Sequence, residues 1–146
     1  MADWSAVKRT ILLVDDNKAD AELVKRSLST GPGAPTLLVA SDGVEALRML
    51  RETSFHTALP DLILLDLNLP RKTGLQVLAE FKEDPALRHI PVVVLSSSNS
   101  ERDVSSAYGL HANCFLTKPM DLDGFEEALR SIEEFWFSRA LLPSGR

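Results

Sequence analysis

The sequence predicts an α/β protein built on a doubly wound, five-stranded parallel sheet with helices on both faces. Two observations carry that prediction. Four short runs rich in Val, Ile and Leu, at 11–14, 62–65, 92–95 and 114–117, read as strands buried on both faces. Amphipathic stretches of roughly ten to fifteen residues separate the strands, and a repeating strand-then-helix order implies right-handed crossovers and a parallel sheet.

The elements follow in order. After the first strand, Asp16 or Asn17 can cap a helix running to Ser27 or Leu28, with Ala19, Leu23, Val24 and Leu28 on one side. Ser-Thr-Gly-Pro-Gly-Ala-Pro at 29–35 stops it, and 36–40 reads as the second strand. Asp42-Gly43-Val44-Glu45 opens a helix that carries Val44, Leu47 and Leu50, and Leu59-Pro60 leads into the third strand. A loop at 68–74 precedes a helix bearing Leu75, Val77, Leu78 and Phe81, which Asp84-Pro85 ends. Pro91 begins the fourth strand, where a proline costs no ladder hydrogen bond. Residues 98–110 form a weakly periodic, polar helix expected at the surface, and 114–117 is the fifth strand. From Leu122, the residues Phe125, Leu129, Ile132 and Trp136 make a helical stripe that docks on the sheet.

Composition narrows the function. At 146 residues the chain is one domain, and its 16 basic against 21 acidic side chains leave a net charge of −5. No stretch concentrates Lys and Arg, which argues against direct nucleic-acid binding. Residues 1–10 lack the pattern of a targeting leader and no apolar run is long enough to span a bilayer, so a cytoplasmic protein without a membrane partner is expected. The single cysteine, Cys114, reads as a small buried strand residue, and three scattered histidines offer no zinc-type spacing.

Five polar residues follow directly on those apolar runs: Asp15, Asp16, Asp66, Ser96 and Lys118. In an open parallel sheet the carboxyl ends of the strands share one rim, so these side chains converge on a single pocket. Clustered acids call for a divalent cation and the lysine for an anion, demands that a metal and a phosphoryl group meet together. Leu13-Val-Asp-Asp-Asn17, Leu64-Leu-Asp-Leu-Asn-Leu-Pro70 with Gly74, Val94-Leu-Ser96 and Thr117-Lys-Pro119 together resemble the response-regulator receiver domain of two-component signalling, over nearly the whole chain. The resemblance implies a flavodoxin-like sheet of order 2-1-3-4-5, with Asp66 as the phosphoacceptor served by a histidine kinase. It further implies Mg²⁺ held by Asp16, Asp66 and the Asn68 backbone carbonyl, with Asp15 acting on the ion through water. Lys118 and Ser96 would sense the phosphoryl oxygens, and Phe115 resembles the family's switch aromatic, although an aromatic in a strand is also ordinary packing. Lys118-Pro119 resembles the family's cis linkage, with a trans bond in an ordinary loop as the alternative. Asn68, Lys72 and Ser98 line the expected rim and can tune dephosphorylation. Two other classes stand beside this one: a haloacid-dehalogenase-like phosphatase, disfavoured because Asn68 stands where a proton-donating acid is needed, and a constitutive pseudo-receiver.

The receiver pattern is expected over 8–138, leaving 139–146 as a tail and no room for an output domain, so output runs through docking or phosphorelay. Phe135, Phe137, Ala140, Leu141 and Leu142 lie off the last helical stripe, and homodimerisation through them is expected, the alternative being that the tail folds back on its own domain. The 64–74 segment, the long connection at 56–60 and the aromatic run Phe135-Trp136-Phe137 resemble single-domain regulators of bacterial phytochrome histidine kinases, which implies a bacteriophytochrome as phosphoryl donor.

Overall fold

The computed structural model describes residues 8–52 and 59–143; the connection expected at 56–60 falls partly outside these residues, as do residues 144–146 of the tail. Strands β1 (Thr10–Val14), β2 (Thr36–Ala40), β3 (Leu62–Leu65), β4 (Val92–Ser96) and β5 (Cys114–Thr117) alternate with helices α1 (Lys18–Ser27), α2 (Gly43–Arg51), α3 (Gly74–Glu83), α4 (Glu101–Gly109) and α5 (Leu122–Glu134). All strand pairs are parallel, in the order β2-β1-β3-β4-β5. The expected fold and strand order are thus both observed.

The period-2 geometry of the strands divides the core in two. Leu12, Val14, Ile63, Leu65, Val92 and Val94 face one way and pack with Ala46, Leu47 and Leu50 of α2, Val77, Leu78 and Phe81 of α3, and Ala107 of α4. Their neighbours Ile11, Leu13, Leu62, Leu64, Val93 and Leu95 face the other way, against Val24 of α1 and Phe125, Leu129 and Ile132 of α5. Each fully buried aliphatic side chain contributes about 1.5–3 kcal/mol, so strands apolar on both faces hold both helical layers.

The structure departs from expectation in three local features. Val44 is exposed, because Gly43 lets α2 approach α3 so closely that a Cβ there would lie 2.2 Å from Val77 Cγ2; this contact turns Gly43, Ala46, Leu47 and Leu50 inward. Helix α4 starts at Glu101, capped by Ser100, whose side chain accepts from Asp103 N–H, while Ser98 is drawn out of the helix by a hydrogen bond to Asp103. Of the two caps expected for α1, Asn17 serves, accepting from Asp20 N–H, which leaves Asp16 exposed at the rim.

The third departure is at the C-terminus. Beyond α5 the chain makes a π-helical turn at Phe135–Arg139, closed by the Ala140 N–H donating to Phe135 O at 2.7 Å. The wider turn shifts the stripe by one residue, so Phe137 joins Trp136 against the α1/α5 core instead of lying off it. Phe135 (54% exposed) and Leu141 (90% exposed) stay in solvent.

Candidate functional site

Sheet hydrogen bonds fix the two central carboxylates. The Asp15 N–H donates to Ala40 O and the Asp66 N–H to Val14 O, each at 3.0 Å, so both residues extend the ladder one step past their strands and emerge at its carboxyl edge. Asp15 Oδ1 accepts from Asn17 N–H at 2.9 Å and Asp66 Oδ1 from Asn68 N–H at 3.2 Å, which sets the orientation of each carboxylate. Oxygens of Asp15, Asp16 and Asp66 lie within 4.8 Å of one another, two of the residues buried and Asp16 open to solvent. This all-oxygen set, open on one side, suits a hard divalent cation that keeps part of its water shell.

Lys118 enters from the end of β5, its N–H donating to Ser96 O at 2.8 Å. Its ammonium reaches Asp15 Oδ2 at 3.0 Å, Asp66 Oδ2 at 3.1 Å and Asp20 Oδ2 at 2.7 Å. Burial disfavours the charged amine, but the hydrogen bonds it donates to Asp20 and Asp15 and the charges of Asp15 and Asp66 outweigh it and hold the ammonium well above the ordinary lysine range. At Asp15 burial dominates and pushes the carboxyl up, against the opposing pull of the Asn17 N–H and Lys118. With Asp15, Asp16, Asp20 and Asp66 gathered around one lysine, acidic groups outnumber basic ones in the pocket.

The Lys118-Pro119 peptide is trans, correcting the cis expectation. Trans is the form an X–Pro bond prefers by about 0.5–1 kcal/mol, and from it the ammonium already reaches all three carboxylates. Ser96 is fully buried at the end of β4, beside Lys118, and its hydroxyl accepts from Ser98 N–H at 3.2 Å. Phe115 is half-buried against the α2/α3/α4 core, and its N–H donates to the Tyr108 hydroxyl at 3.1 Å. Lys72 pairs with Glu80 rather than with the pocket, and Arg71, with φ +69°, pairs with Asp42 at 3.2 Å, holding the β3–α3 loop over the start of α2. Cys114 is half-buried and its thiol is raised by burial, as befits a packing residue.

Asp20 is the site residue that sequence reasoning missed. It lies three residues after the cap of α1, where an acid ordinarily complements the helix dipole. Nothing in a single sequence joins it to a lysine 98 positions away.

A parallel 2-1-3-4-5 sheet with acids ending β1 and β3 and a lysine ending β5 defines a class, the phosphoacceptor receivers of two-component signalling. The chain belongs to that family: the response regulator receiver domain matches residues 11–130. It is 44% identical to the response regulator Rcp1 of Synechocystis sp., covering 99% of this chain and 100% of that protein. Among solved structures, it resembles the phosphorylated cyanobacterial phytochrome response regulator RcpA with a TM-score of 0.90 and 46% identity, covering 94% of this chain and 100% of that one. It also resembles the Mn²⁺-bound form of Rcp1, with a TM-score of 0.85, 44% identity and coverage of 93% and 99%. Among the described residues no helix is long and apolar enough to cross a membrane.

Proposed function

We propose that this receiver accepts a phosphoryl group on Asp66 from the phosphohistidine of a bacterial phytochrome kinase, in a Mg²⁺-dependent reaction in the cytoplasm. The observation that carries this reading is the convergence of Asp15, Asp16, Asp66 and Lys118 on one rim. Similarity to RcpA, crystallised phosphorylated, and to Rcp1, crystallised with Mn²⁺, supports it.

An Asp66 carboxylate oxygen attacks phosphorus, the N–P bond of the phosphohistidine breaks, and the imidazole leaves with its electron pair. Asp16, Asp66 and the Asn68 backbone carbonyl would hold the metal, with Asp15 acting through its water. When bound, the ion supplies the positive charge that lets an anionic nucleophile meet an anionic donor. Lys118 donates to a phosphoryl oxygen as a point charge, and the Ser96 hydroxyl turns from Ser98 N–H toward another. Ser96 and Phe115 then form the switch, and Asn68 and Ser98 tune the lifetime of the acyl phosphate, while Lys72 is held on Glu80. The protein catalyses its own transfer and dephosphorylation and signals by docking or phosphorelay.

The receiver unit spans 8–138. The tail from 139 onward extends a homodimer interface, a reading supported by the exposure of Phe135 and Leu141. Incubated with an autophosphorylated bacterial phytochrome kinase and Mg²⁺, the wild type should acquire label, whereas Asp66→Asn and a chelated sample should acquire none. Equal labelling of Asp66→Asn and wild type would overturn the assignment.

A further inference from the structure

A lysine ammonium has three N–H donors, and in Lys118 each meets a carboxylate. Two of those acceptors, Asp15 and Asp66, belong to the group able to hold a metal. The third, Asp20, does not, yet it makes the shortest contact of the three, at 2.7 Å. It also approaches from a different direction, from the first turn of α1 rather than from a strand end, and its side chain is 23% exposed where those of Asp15 and Asp66 are 2% and 8% exposed.

A cation shared among three acids neutralises each less than one shared between two. We propose that Asp20 is a positioning residue for Lys118: it holds the ammonium toward α1, so that Asp15 and Asp66 remain under-neutralised and able to take a divalent cation. The same contact keeps Lys118 partnered at the rim once a metal draws on those two carboxylates, ready to meet a phosphoryl oxygen. The inference rests on the divalent-cation reading of Asp15, Asp16 and Asp66 and adds a residue outside that group.

Removing the Asp20 charge has two consequences of one sign. Lys118 settles fully on Asp15 and Asp66, in competition with the metal, and the pocket loses a negative charge that attracts it. Both weaken metal binding.

The test is calorimetric titration of the full chain with Mn²⁺, comparing the wild type with Asp20→Asn, Asp20→Glu and Glu22→Gln, with the ¹⁵N resonance of the Lys118 ammonium followed in parallel. Glu22 is an exposed acid on the same helix, so its replacement reproduces the change in net charge away from Lys118. Asp20→Asn should weaken Mn²⁺ binding about fivefold or more and shift the Lys118 resonance, since the lost charge lies within a few ångströms of the site. Asp20→Glu should stay within about twofold of the wild type, because it keeps the carboxylate, and Glu22→Gln should leave the affinity unchanged, because its charge is distant and screened. An Asp20→Asn affinity equal to wild type would overturn the proposal, as would an equal loss in Glu22→Gln. A wild type that binds no Mn²⁺ would instead overturn the metal reading, and the inference with it.

Discussion

Asp15 is buried beside a second buried carboxylate, and burial pushes its carboxyl up by more than the Asn17 N–H and Lys118 pull it down. A carboxyl whose folded-state value is raised costs stability at every pH above that value, a cost relieved only as pH falls through it. At neutral pH, Asp15→Asn should therefore raise the thermal midpoint of the metal-free protein. The same change removes a carboxylate from the group proposed to serve the metal. Mg²⁺ at a hundredfold excess over its Kd should stabilise the wild type by about 2.7 kcal/mol and leave Asp15→Asn nearly unchanged, as followed by thermal denaturation. An Asp15→Asn protein less stable than wild type without metal would contradict the burial penalty assigned to Asp15. At this scale, residues ending strands were legible because an acid or lysine directly after an apolar run has few structural roles. Asp20 was not, because its position in the first turn of a helix already has an ordinary explanation.

At the scale of elements, helix α3 begins in close contact with the end of β3. A Cβ on Gly74 would lie 2.4 Å from Asp66 O and 2.5 Å from Leu67 Cα, both backbone atoms that cannot turn aside. Gly74→Ala should push the start of α3 away from the β3 terminus, destabilise the protein by about 1–3 kcal/mol despite alanine's better helix propensity, and slow phosphoryl incorporation. Chemical denaturation and a labelling time course check the two effects. Loss of stability with an unchanged labelling rate would show that α3 does not position Asp66.

Caps and strands were readable from local chemistry, as with Thr73 and Gln76, which close a reciprocal box at the start of α3. The inward face of α2 was not, since the close approach of Gly43 to Val77 decides it across the fold. The single-residue shift that brings Phe137 onto the core was likewise hidden, because a π-helical turn leaves the sequence periodicity unmarked.

For the molecule as a whole, the burial of β1, β3 and β4 on both faces specified two helical layers, and the parallel order brought the carboxyl ends of β1, β3 and β5 together. The strand order itself came from family resemblance, since no local pattern distinguishes which parallel neighbours pair. The proposed self-association belongs to this scale too. Truncation before Ile132 would strip away a buried core residue along with Trp136 and Phe137, whereas Phe135 and Leu141 can be changed at the surface. Phe135→Glu with Leu141→Glu should convert a sedimenting dimer to a folded monomer; an unchanged dimer would move the interface elsewhere.

Phosphoryl uptake by Asp66 with the help of a metal is the central property of this receiver to be tested. Intact-protein mass spectrometry after incubation with a small acyl-phosphate donor and Mg²⁺ tests this most directly, comparing wild type, Asp66→Asn and a chelated control. A single phosphoryl adduct that vanishes with the substitution and with chelation is the predicted result. An adduct that persists in Asp66→Asn, or donor hydrolysis that stays fast without any adduct on the wild type, would contradict it.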